Sequence, residues 1–237
     1  MRWRRTSAVG TAVILLMGIA GPASAAGSDG GAMESARARA VAAIDRRLET
    51  IDGLQTAVTT NPHVSGAHRG DLLGGLGSDR AGLTALRAGI ESTDDRAGLL
   101  DMAMAIATEY RVFLVVRPTV IGVLASDTGV ALADRGRDRL AVLISWTARA
   151  ESAGFDVDRP RSLLDAASDQ LDRVSTLAGP VADRLLALVA GDWPDPAAQV
   201  IDDGFGSLRE ARRAGREAVD DAGAAVAALR GILRRAA

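Results

Sequence analysis

From residue 33 onward, apolar residues recur at alternating steps of three and four, the spacing of a helix that buries one face. Val41, Ile44, Leu48, Ile51 and Val58 mark a first stripe that stops at Asn61-Pro62. Leu76, Leu83, Leu86 and Ile90 mark a second, with Asp79 at one of its inward-looking positions. A third runs from Leu100 through Tyr110, Leu114, Arg117 and Ile121 to Leu124. A fourth holds one frame from Leu164 to Leu188, and a fifth runs from Ile201 to Ile232. No stretch shows sustained two-residue alternation, so the pattern predicts helices and no sheet.

The punctuation between stripes agrees. Ser65 is placed to cap the second helix, and Ser92-Thr93-Asp94-Asp95 to cap the third. Gly154 to Pro160 and Gly191 to Pro196 separate the last three helices. Short links between long helices make antiparallel neighbours. The expected fold is all-α: a single coiled-coil-like bundle of about five long antiparallel amphipathic helices, with helix three central and kinked. Pro118 and Gly179-Pro180 interrupt their stripes without a change of frame, which predicts kinks in place of loops.

Glycine and alanine add two expectations. Helix two carries seven glycines between Gly66 and Gly89, each costing about 1 kcal/mol relative to alanine in a helix interior. It should form only against its neighbours. The fifth stripe is mostly Gly and Ala at its centre, which reads either as a closely packed seam or as the alanine bias of a GC-rich genome.

The first residues read as an address. Arg2, Arg4 and Arg5 precede an apolar run from Ala8 to Ala20, Pro22 ends it, and Ala23-Ser24-Ala25 is a small-x-small cleavage site. The run is shorter than the roughly 20 residues that span hydrocarbon. The expected organisation is a signal peptide over 1–25, a flexible segment over 26–32 and the helical domain over 33–237. The mature chain is then expected to be secreted, with no transmembrane anchor. Losing three arginines and no acid makes it more negative than the −2 of the whole chain. That balance argues against nucleic acid as a partner.

Chemistry is sparse. All 28 cations are arginine and there is no cysteine, which excludes disulfides and thiolate sites. His63 and His68 form no metal-ligand pattern on one helical face, so neither a metal nor a cofactor is expected, and exposed loop histidines are. No nucleophile elbow occurs, and Gly70 to Gly77 is neither a P-loop nor a dinucleotide fingerprint. Arg117, with Phe113 and Tyr110 one and two turns before it, is a candidate ligand-binding group for an anion. The alternative is a buried arginine paired with a carboxylate such as Asp79, which buried charges favour. Trp193 in its stiff loop, and Arg209, Arg212, Arg213 and Arg216 on helix five, are candidate surface-interaction residues for anionic wall polymers or lipid head groups. Mixed charge of this kind also suits a solvated helix face.

Two segments, DRAGLTALRAGIESTDD from Asp79 to Asp95 and YRVFLVVRP from Tyr110 to Pro118, are similar to motifs of uncharacterised exported all-helical proteins of high-GC Gram-positive bacteria. The resemblance extends to the Trp-Pro loop before an Ala/Arg-rich helix. It departs in the glycine-rich second helix, where those proteins carry Lys and Ala. It implies an exported helical fold and brings no activity with it. The expected function is a non-enzymatic exported protein that interacts or scaffolds at the cell envelope or outside it. The alternative is a small-molecule or lipid carrier with a cavity beside helix three.

Overall fold

The computed structural model describes residues 29–236, and the expected signal over 1–25 lies outside the described residues. Helix α1 runs Asp29–Thr60, α2 Gly66–Ser92, α3 Arg96–Thr108, α4 Arg117–Ser152, α5 Asp158–Leu186 and α6 Ala197–Ala236. A π-helical turn, Val112–Val116, leads into α4, and a short 3-10 turn, Ala190–Asp192, precedes α6. No strand occurs among the described residues. The fold is an all-α bundle, with α3, the π turn and α4 making up the third of five helical rods. The described residues divide into two units between Ala36 and Arg37. Of the first, the described residues 29–36 are helical, so helix replaces the last part of the flexible segment expected over 26–32.

The caps fall where the punctuation put them. Ser65 accepts the His68 N–H, and the Asp95 carboxylate accepts from Ala97 and Gly98. Arg69 closes the end of α1 by donating to the carbonyls of Val58, Thr59 and Asn61. Pro180 lies inside an unbroken α5. Pro118 sits in the first turn of α4, directly after the π turn whose i→i−5 bonding runs through Arg117, so its missing N–H falls where π bonding gives way to α bonding. The interruption of the third rod falls earlier, at Glu109 to Arg111, and Arg111 leaves helical geometry with ψ 50°.

The stripes of α1, α2, α5 and α6 face inward as their spacing requires. Ile44, Ile51, Leu76, Leu83 and Leu164 are fully buried, and every α5 position from Ala167 to Leu185 on the heptad frame is buried. The α6 seam of Ala211, Ala214, Ala218 and Ala225 is buried against α4 and α5. Close approach is the reason for several small residues. On α4, Gly122, Gly129 and Gly136 repeat once per heptad and face Leu185, Ala178 and Leu171 of α5. A Cβ on Gly136 would stand 2.9 Å from Leu171, one on Gly129 3.4 Å from Ala178, and one on Gly122 would collide with Leu185. On α6, a Cβ on Gly204 would lie 3.3 Å from Val181. Buried Ser126 donates to the Ala178 carbonyl at 2.7 Å along the same α4–α5 seam.

Candidate functional site

Polar side chains converge where α2 begins. Pro62 ends α1, the Asn61 carboxamide accepts the His63 N–H at 2.9 Å, and Asn61 Nδ2 donates to Thr128 of α4. The first turn of α2 then sets His68 between two other helices. Its Nδ1 lies 2.9 Å from Asp127 on α4, and its Nε2 lies 3.3 Å from Asp183 on α5. Buried Asp127 also accepts the Ser65 N–H at 2.9 Å. A carboxylate beside each ring nitrogen favours the imidazolium form, in which both nitrogens donate. Desolvation pulls its pKa down, but hydrogen bonds and charge from Asp127 and Asp183 outweigh it, leaving it above the ordinary value. This arrangement orients no nucleophile. Ser65 is occupied as the helix cap, and the imidazole joins three helices.

His68 was expected to be an exposed loop histidine; in the structure it is largely enclosed. His63 is half-buried in the turn. Among the described residues, no group of three or more His, Cys, Asp or Glu is arranged to hold a metal.

Around the interruption of the third rod, the expected cluster forms about a different cation. Arg117 is exposed and has no ion pair among the described residues, which corrects its expected place inside the bundle. Its proposed partner Asp79 is half-buried on α2, where burial raises its pKa. Asp79 and Glu109 act on Tyr110, whose phenol is pushed up chiefly by desolvation. Tyr110 lies against Gly82 of α2, where any Cβ would strike its ring. The half-buried cation is Arg47 of α1. It donates to the Tyr110 carbonyl at 3.3 Å and to Ala43 at 3.0 Å, and its guanidinium lies 5.3 Å from the centre of the exposed Phe113 ring. Tyr110 and Phe113 therefore gather on Arg47, not on Arg117. Desolvation lowers the Arg47 pKa, with neighbouring Arg46 adding to the effect.

Two shallow concavities lie elsewhere. One of about 360 Å³ runs along α1 beside Asp52, Gln55 and Thr59, and another of about 160 Å³ lies between α4 and α5 beside Ile144, Thr147 and Arg161.

The remaining candidates lie at the bundle surface. Trp193 is half-buried, and its carbonyl accepts from Arg111, so the loop before α6 is tied back to the third rod. Arg209, Arg212, Arg213 and Arg216 are all exposed. At steps of three and four, they share one face of α6. Arg213 pairs with Glu217 at 3.3 Å, whereas Arg209, Arg212 and Arg216 have no ion pair among the described residues. On the flank of α6 toward α5, Glu210 approaches Arg173 at 3.8 Å. Glu210 serves the contact with α5 and Glu217 pairs within α6, which leaves Arg209, Arg212 and Arg216 unpaired on the outward face.

No described helix is long and apolar enough to cross a membrane. Compared with protein-family models, curated proteins and solved structures, the chain matches none.

Proposed function

We propose that this chain is an exported, non-enzymatic helical protein that binds anionic components of the cell envelope through the outer face of α6. The observation that carries the reading is the run Arg209, Arg212, Arg213 and Arg216, displayed on one face and largely without carboxylate partners. Guanidinium groups stay charged at any physiological pH and pair with phosphate or carboxylate through two parallel hydrogen bonds. A rigid bundle holds such a row in place at little cost in ordering entropy on binding. The basic, apolar and small-x-small sequence at residues 2–25 supports export to where such partners lie.

The test is sedimentation of residues 26–237 with an envelope fraction from a high-GC Gram-positive bacterium. Binding should be strong at low salt and weaken as salt rises. The triple substitution Arg209→Gln, Arg212→Gln, Arg216→Gln should weaken it by about tenfold or more at unchanged helicity. Equal retention of the variant, or retention indifferent to salt, would remove the α6 face from the reading.

A further inference from the structure

The outer side of α4 carries a second stripe that the fold leaves uncovered. Leu132, Arg135, Arg139, Val142, Trp146 and Arg149 follow one another at alternating steps of three and four, and all six are exposed. Leu132 keeps 53% of its surface accessible, Val142 48% and Trp146 55%. The inward line of α4 is a separate one, through buried Ala133, Leu140 and Thr147. Single exposed apolar residues need no explanation. Three in register, alternating with cations, make an amphipathic line about 25 Å long.

The arginines distinguish this line from an ordinary solvated face. Other charges on α4 are paired: Arg137 reaches Asp134 and Asp172 and bonds Ser175, and Glu151 holds Arg161, while Arg117 at the helix start stands alone like the stripe. Arg135, Arg139 and Arg149 have no ion pair among the described residues, although Asp138 lies beside them in sequence.

The geometry points to this stripe as a docking surface for an anionic lipid layer, with the guanidinium groups on headgroup phosphates and Trp146, Val142 and Leu132 at the acyl boundary. It rests on the reading of the protein as an envelope binder and names the chemistry of one partner. Charge complementarity selects an anionic occupant. The interleaved apolar side chains select a lipid interface over a soluble polyanion, which would have no use for them. Tryptophan is the residue most at home at the headgroup level, and arginine stems lie along apolar surface while their heads stay wet. A second copy of the chain would set three arginines against three arginines.

Residues 26–237 retain every described residue, and replacing Trp193 with Phe leaves Trp146 as their single tryptophan. This protein is mixed with vesicles of phosphatidylglycerol or of phosphatidylcholine. The expected result is salt-sensitive binding to the first alone, with a blue shift of Trp146 emission and protection from an aqueous quencher. Arg135→Gln, Arg139→Gln, Arg149→Gln together should lower the affinity about a hundredfold. The matching Lys variants should retain most of it. Circular dichroism should be unchanged by the arginine and Trp146 substitutions, since those groups are exposed. The proposal is overturned by no binding to phosphatidylglycerol, by equal binding of the Gln variant, or by binding that leaves Trp146 emission unmoved. Binding to soluble polyphosphate as tight as to vesicles, and indifferent to Trp146→Ser, assigns the stripe to a polymer instead. If vesicle binding fails while envelope sedimentation persists, the lipid partner is wrong and the envelope reading stands. If both fail, both fall.

Discussion

At the residue scale, protonation of His68 is tied to the folded state because Asp127 and Asp183 occupy its two nitrogens. Its pKa in the fold lies above the 6.5 of the free side chain. The charged ring therefore contributes its full stabilisation below about pH 6.5 and loses it as pH rises through the folded value. Thermal melts between pH 5 and 9 should show the wild type furthest above His68→Gln at the acid end, with the gap closing on the alkaline side. A gap that widens with pH would show that the imidazole acts here in its neutral form. The two arginines near Phe113 provide a second contrast. Arg117→Leu should change stability by no more than about 0.5 kcal/mol, as exposed substitutions do. Arg47→Leu should cost about 1–3 kcal/mol, because it strands the Tyr110 carbonyl and removes the cation from Phe113. Chemical denaturation of the two variants ranks them directly. The sequence pointed to a cation among Tyr110 and Phe113, but Arg47 lies 63 residues from Tyr110 and no local spacing connects them. Asp127 and Asp183 stand 59 and 115 residues from His68, and a lone histidine gives no local sign of such partners.

At the element scale, glycine has two opposite meanings in this chain. Gly74 and Gly75 of α2 are exposed, and an added Cβ on either would meet nothing within 4 Å. Alanine at either position should stabilise the protein by up to about 1 kcal/mol. Gly122 lies under fully buried Leu185, and alanine there should overpack the α4–α5 seam at a cost of about 1–3 kcal/mol. Melting temperatures of the single variants, rising for the first two and falling for the third, would distinguish the classes. Periodicity made α1, α2, α5 and α6 legible because each has one apolar stripe against a polar background. It failed on the third rod for a physical reason. From Val112 to Ala125 nearly every direction around the helix carries an apolar residue, so hydrophobicity cannot select the inward line. The break at Glu109 to Arg111 and the π turn after it then set the helical phase. Val120, Val123 and Asp127 face in, while Arg117 and Ile121 face out. That one displacement put Arg117 in the core on paper and hid Asp127.

At the scale of the whole molecule, a net charge of −2 says little about the surface a partner meets. Some carboxylates are taken up in helix contacts, as Asp172 and Glu210 are, while unpaired arginines cluster on the outer sides of α4 and α6, so a weakly acidic protein presents local cationic fields. Nor could the spacing alone assign a purpose to the small residues. The α6 seam is closely packed at Gly204, yet Gly122 and Gly136 of α4 are approached more closely still, within a sequence that does not mark them out. Because Gly122, Gly129 and Gly136 are equally spaced, the helix pair has a neighbouring alignment to compete with the native one. Sliding α5 by one heptad, about 10 Å, would bring Leu171 onto Gly129 and Leu164 onto Gly136, refilling two of three notches. Gly122 would face Ala178 and lose its leucine while Gly129 would gain one, so each alignment seats two leucines on glycines. The Ser126 hydroxyl would lose the Ala178 carbonyl as well. The two alignments are therefore nearly degenerate at the ends, and the choice is made in the middle of the pair, where Gly129 is fitted to the small Ala178 at 3.4 Å and would have to admit Leu171.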